Sequence, residues 1–150
     1  MLNSANLWFF CALGTAVLWG LSYAISEKVM KDGITPIFIM VTTGFFYFVI
    51  AFLIAYFSEG FKSGFTVLET NKSTLINLLI MSLAFIGGTF LIYYAINLKN
   101  ATYANLIEIT YPIFTLLFAY ILYKEIQINI STMIGGIMIF AGVVLIYIKS

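Results

Sequence analysis

Apolar residues run along this chain in long blocks, separated by short clusters of charge and turn formers. A helix crossing a bilayer needs about 20 apolar residues at 1.5 Å each. Five segments reach that length: Leu7–Ser26, Pro36–Phe57, Thr74–Asn97, Thr102–Tyr123 and Ile128–Ile148. Glu27, Lys28, Lys31, Asp32 and Gly33 close the first, and Pro36 is placed to open the second, where its missing N–H is harmless. Ser58–Ser73 is the longest loop, alternating charge with Phe61, Phe65 and Leu68 near the headgroups. Leu98–Ala101 is so short that the third and fourth helices must be antiparallel neighbours, and Lys124–Gln127 makes an equally tight turn. The pattern predicts an all-α, polytopic membrane protein, a single five-helix domain over residues 1–150 with no soluble part. Met1–Asn6 holds no basic residue, so the first run reads as a span rather than a cleavable signal.

Composition agrees. Hydrophobic residues make up 63% of the chain and charged ones 9%, against about 25% charged in a soluble domain. The formal net charge of +1 suggests no nucleic-acid partner, and the absence of histidine excludes histidine relays and most zinc chemistry. No metal, cofactor or catalytic cluster is expected. The lone Cys11 can form no intramolecular disulfide. Lys62, Lys72 and Lys124 fall on one side of the membrane, and Lys28, Lys31, Lys99 and Lys149 on the other. Orientation follows such bias, and here the α-amino group nearly cancels it. Either the topology is fixed but weakly encoded, or copies insert both ways.

The fourth span carries the candidate chemistry. Ala101, Asn105, Glu108, Pro112, Thr115 and Ala119 recur at three- and four-residue steps, so a continuous helix puts them on one small and polar face. Pro112 cannot donate to the carbonyl of Glu108, four residues back. A carboxyl and a freed carbonyl therefore meet at one level, flanked by Asn105 and Tyr111. An ionisable group at this depth costs about 2.5–3.5 kcal/mol on insertion scales. Two readings stand. Glu108 is interhelical hydrogen-bond glue, or it is a carboxyl whose neutral form burial favours, able to exchange a proton or a cationic substrate. Buried hydroxyls and indoles want partners, which points to Trp19, Tyr94 and Tyr111 as lining the same interior. Trp8, Tyr56, Tyr123 and Tyr147 sit at span ends as interface belt. Gly87–Gly88 and the Ser131, Gly135, Gly142 face of the fifth helix read as small-residue helix contacts.

Trp19–Gly20, Pro36, Tyr94–Ala95, Pro112, Glu125, Gly135 and Gly142 stand in the order and spacing of the EamA domain of the drug/metabolite transporter superfamily, and the chain resembles that domain over essentially its whole length. Two positions depart from the pattern. Thr43 stands about where many relatives carry an arginine, and Glu108 belongs to no general family motif. Relatives usually join two such domains, the second inverted because five is odd, as an inverted-repeat transporter. One copy here implies half of such a transporter working as an antiparallel homodimer in the cytoplasmic membrane, with helix five at the dimer seam. The function expected is secondary transport or export of small organic solutes, cationic or zwitterionic, coupled to protons through Glu108. The alternative is a non-transporting membrane subunit paired with another half-length protein. A membrane enzyme would need convergent catalytic groups that the loops do not offer.

Overall fold

The computed structural model describes residues 4–58, 60–125 and 129–149. They form α1 (Ser4–Lys31), α2 (Pro36–Phe57), α3 (Gly60–Thr70), α4 (Lys72–Leu98), α5 (Ala101–Glu108), α6 (Tyr111–Phe118), a wider π turn over Ala119–Tyr123, and α7 (Ile130–Lys149). Five stretches are long and apolar enough to cross a membrane: Asn6–Lys31, Pro36–Phe57, Lys72–Leu98, Ala101–Tyr123 and Ile130–Ile148. The fold is that of a multi-pass α-helical membrane protein. The expected start of the last span at Ile128 lies outside the described residues, as do Gln127 and the first three residues of the chain.

The connections follow from local chemistry. α1 ends in a left-handed glycine: Gly33 has φ 101°. Its N–H donates to the Met30 carbonyl at 3.0 Å, and the Ile34 N–H reaches back to Val29 at 3.3 Å. This pair of bonds satisfies two carbonyls that the helix end would leave orphaned. Thr35 then caps α2, its Oγ1 accepting from the Phe38 N–H at 3.3 Å, with Pro36 in the first turn. Asn71 caps α4 and Asn100 caps α5, each accepting a backbone N–H three residues on.

Two elements differ from the sequence expectation. Ser58–Ser73 is mostly the helix α3 rather than loop. Phe61, Phe65 and Leu68 lie at helical spacing, and Phe61 packs on Phe52 of α2 with ring centroids 5.3 Å apart. Glycines 60 and 64 conceal that periodicity. The fourth span, expected as one continuous helix, breaks at Ile109–Thr110 into α5 and α6, so its polar stripe is divided between two segments.

Burial is confined to one end of the bundle. The buried apolar residues are Tyr23 and Met30 of α1, Ile39 of α2, Tyr93 and Ile96 of α4, and Ala101 and Ala104 of α5. All lie close to the α1–α2 or α4–α5 connection, on one side of the membrane. Toward the opposite side the spans present their Leu, Ile and Phe outward, as lipid requires and water forbids. Where a Cβ would stand on Gly87, Gly88, Gly135 or Gly142 there is nothing within 4 Å, so no described helix of this chain closes on those faces.

The left-handed turn at Gly33 is open to test. No neighbour lies within 4 Å of a Cβ added there, so Gly33→Ala meets only the backbone penalty, roughly 1–2 kcal/mol. The expected result is a lower unfolding midpoint in mixed micelles with helicity retained.

Candidate functional site

The site begins at the break in the fourth span. Pro112 has no N–H for the Glu108 carbonyl, and the chain tightens ahead of it. The Thr110 N–H donates to Ile107 at 3.2 Å and the Ile113 N–H to Thr110 at 3.0 Å. The Thr110 hydroxyl also donates to the Ile107 carbonyl at 2.8 Å. Glu108 is thereby left at the last position of α5, half-buried, facing α1.

Its partner is Tyr23, whose hydroxyl donates to Glu108 Oε1 at 3.1 Å. Tyr23 is 8% exposed, and the Trp19 ring one turn earlier lies 6.3 Å from it at a tilt of 56°. Tyr93 and Tyr111 lie in the neighbourhood of Tyr23. Tyr23 thus meets the Glu108 carboxyl, with Trp19 beside that tyrosine. Asn105, one turn back on α5, is half-buried on the same side of that helix.

The residues expected at the site are only partly gathered there. Glu108, Trp19 and Tyr111 stand about Tyr23. Tyr94 instead stacks on Phe90, centroids 6.0 Å apart and rings at 15°, and is 48% exposed. The inward tyrosine of that pair is its neighbour Tyr93. Thr115 lies beyond the break, exposed, donating to the Tyr111 carbonyl at 3.2 Å. Pro112 is exposed and opens α6. On α7, Ser131 and Gly142 are exposed and Gly135 is half-buried.

Two features were not foreseen from the sequence. A groove of about 490 Å³ runs between α1, α2 and α4, lined by Leu21, Ile25 and Phe38 with the hydroxyls of Ser22, Thr42 and Thr43. Tyr93 forms part of its wall and so stands between the groove and the Tyr23–Glu108 pair. Thr43, where many EamA domains place a cation, bonds its own helix at Ile39, 2.8 Å away. The second feature is Glu27. Its Oε2 accepts the Ala101 N–H at 2.7 Å across 74 residues, while Oε1 accepts from Lys31 Nζ. The sequence shows Glu27 only as a charge ending the first span. Its position one helical turn beyond Tyr23 was the available signal.

Among the described residues no cluster of acidic or cysteine side chains could hold a metal ion. The arrangement offers instead a carboxyl held by the neutral hydroxyl of Tyr23, whose ring lies beside Trp19. Removing the donor tests the pair: Tyr23→Phe is expected to lower stability by about 0.6 kcal/mol, and by no more than about 2, typical of interhelical hydrogen bonds in membranes. The measurement is equilibrium unfolding in mixed micelles. Trp19→Phe, which disturbs no hydrogen bond, serves as control.

No curated protein and no solved structure matches the chain. A family match covers nearly all of it, over residues 6–148. With five apolar spans and no strand among the described residues, the chain belongs to the EamA-like transporter family of the drug/metabolite transporter superfamily, a family of membrane transporters and not of enzymes.

Proposed function

We propose that this chain is a secondary transporter or exporter of small cationic or zwitterionic organic solutes, coupled to protons through Glu108. The observation that carries the reading is the Tyr23–Glu108 pair at the α5–α6 break. Glu108 is held by a neutral hydroxyl rather than by a cation. It is therefore available to a proton or to a positively charged substrate. Asn105, Tyr111 and Trp19 extend the site around it, Thr115 continues it past the break, and the apolar groove beside Tyr93 takes the hydrophobic part of an amphiphile. Tyr94 lies on the outer side of α4 in this chain, where a second copy would meet it.

The working unit we infer is an antiparallel homodimer of single five-helix domains in the cytoplasmic membrane. The near balance of lysines, three against four, supports insertion in both directions. The one-sided burial supports a second copy that covers the open end. Ser131, Gly135 and Gly142 supply the small face on which α7 packs against that copy, since no described residue comes within 4 Å of a Cβ built on Gly135 or Gly142. In such a pair two Glu108 carboxyls share one cavity and cannot easily ionise together, which favours their exchanging a proton against substrate.

Glu108→Gln preserves shape and hydrogen bonding but cannot ionise. In reconstituted vesicles it is expected to fold and dimerise normally, to lose proton-driven uptake, and to bind substrate without pH dependence. Glu108→Asp is expected to retain part of the activity with a displaced pH profile. Normal transport by Glu108→Gln under a pH gradient would sink the coupling role, because an amide serves as glue but not as a proton switch.

Orientation has its own test. C-terminal reporters active on one side only are expected to give comparable signals from both sides. Two added lysines at one end should drive a single orientation. A clean one-sided signal from the unaltered protein would remove the antiparallel homodimer.

A further inference from the structure

We propose that Glu27 is the latch of a gate: its carboxylate clamps α1 to the start of α5 and holds shut the seam that leads to Glu108. The proposal rests on the transport reading above and assigns the closed side of the cycle to the end bearing the α1–α2 and α4–α5 connections.

Geometry carries it. Tyr23 and Glu27 are one turn apart on α1, and Ala101, Ala104 and Glu108 share a side of α5. The two helices run antiparallel, so Tyr23 meets Glu108 and Glu27 meets the Ala101 N–H. Ala101, which makes the outer bond, and Ala104, which lies between the two, are both buried, at 6% and 8% exposure. Side chains this small bring the helices close, and the two bonds fasten a seam around which Tyr23, Met30 and Ile96 pack. α5 cannot leave α1 at Glu108 without also leaving Glu27. α6, beyond the break, is not so bound.

The two clasps differ in kind. The Tyr23–Glu108 bond is deep and is made to the group proposed to change charge. The Glu27 bond sits at the span end, where its side chain is 22% exposed and Lys31 fixes the second oxygen. Water at the membrane edge can replace both of its partners, so this bond opens at modest expense. Neutralising Glu108, by proton or by substrate, changes the inner bond, and the outer one then decides whether the seam parts. Glu27 is accordingly a positioning residue. It touches no substrate and acts through α5.

The bond can be broken from either end. Glu27→Ala removes the acceptor. Ala101→Pro removes the donor at the first residue of α5, where proline suits a helix, and the preceding Asn100 is already extended at φ −177° and ψ 169° as proline demands. Cys11 is the one native thiol, so Cys11→Ser with Ala104→Cys places a single reporter in the seam. The probe is a hydrophilic maleimide acting on reconstituted protein. The parent thiol is expected to react slowly. Glu27→Ala and Ala101→Pro should each speed labelling by about five- to tenfold, the factor for one lost hydrogen bond. Glu27→Gln, whose amide oxygen still accepts the Ala101 N–H, should label at the parent rate. If Glu27→Ala fails to fold by circular dichroism, Ala101→Pro carries the test.

Unchanged labelling in the folded bond-breaking variants would overturn the latch. So would a Glu27→Gln rate equal to that of Glu27→Ala, since charge and not the clasp would then be holding the seam. The labelling uses no substrate and no gradient, so its failure is separable from a failure of proton coupling, which Glu108→Gln reports independently.

Discussion

Inside hydrocarbon a polar group has no water to turn to, so each one must find its partner in protein. That constraint organises this chain around the contact of α1 with α5. The fourth span carries a carboxyl at depth, and the first supplies the hydroxyl that meets it. The N-terminus of α5 would otherwise expose bare N–H groups; Asn100 satisfies one from within the turn and Glu27 satisfies another from α1. Alanines between these bonds allow the approach that makes both possible. Tyr93 and Ile96 of α4 and Met30 of α1 pack around the same contact and form the small core.

Away from that contact the chain is loosely assembled. Among the described residues Ile96 is the largest side chain that is fully buried, and the glycine faces of α4 and α7 meet nothing. Lipid provides no hydrophobic drive for helices to associate, so close packing of small residues and interhelical hydrogen bonds must supply it. The end that bears the α1–α2 and α4–α5 connections has both. A five-helix unit with an open end and small-residue faces of this kind motivates the antiparallel pair proposed above.

The spans were legible because bilayer thickness sets their length. Pro36–Phe57 was read to the residue, and Pro112 foretold trouble in the fourth span, though as a freed carbonyl rather than a full break. The facing of the helices was less legible. α4 is apolar on every side, so its periodicity carries no phase. Tyr93 and Tyr94 are about 100° apart on that helix, and nothing local says which points inward. Nothing local marks Tyr23 either, and only its register against Glu108 singles it out. Glu27 was harder still. Its partner is a backbone N–H 74 residues away, and a backbone donor leaves no mark in a sequence.

Two carboxylates on one seam show how surroundings divide their roles. Glu27 has both oxygens engaged, one by the Lys31 ammonium and one by a backbone N–H at a helix start. Charged and dipolar donors of that kind stabilise the ionised form, so Glu27 is suited to remain a carboxylate and to act as a tie. Glu108 receives a single neutral hydroxyl on one oxygen, among aromatic rings and beside a helix break. That donor serves a carboxylate well, and a protonated carboxyl can return a hydrogen bond to the same hydroxyl oxygen. The pair therefore survives a change of protonation by reversing its direction, whereas the Glu27 tie keeps only its carbonyl oxygen for the Ala101 N–H and would lose the charge pairing with Lys31. A residue that keeps its partner through both charge states is suited to switch. One tied at once by an ammonium and by a backbone N–H is suited to hold.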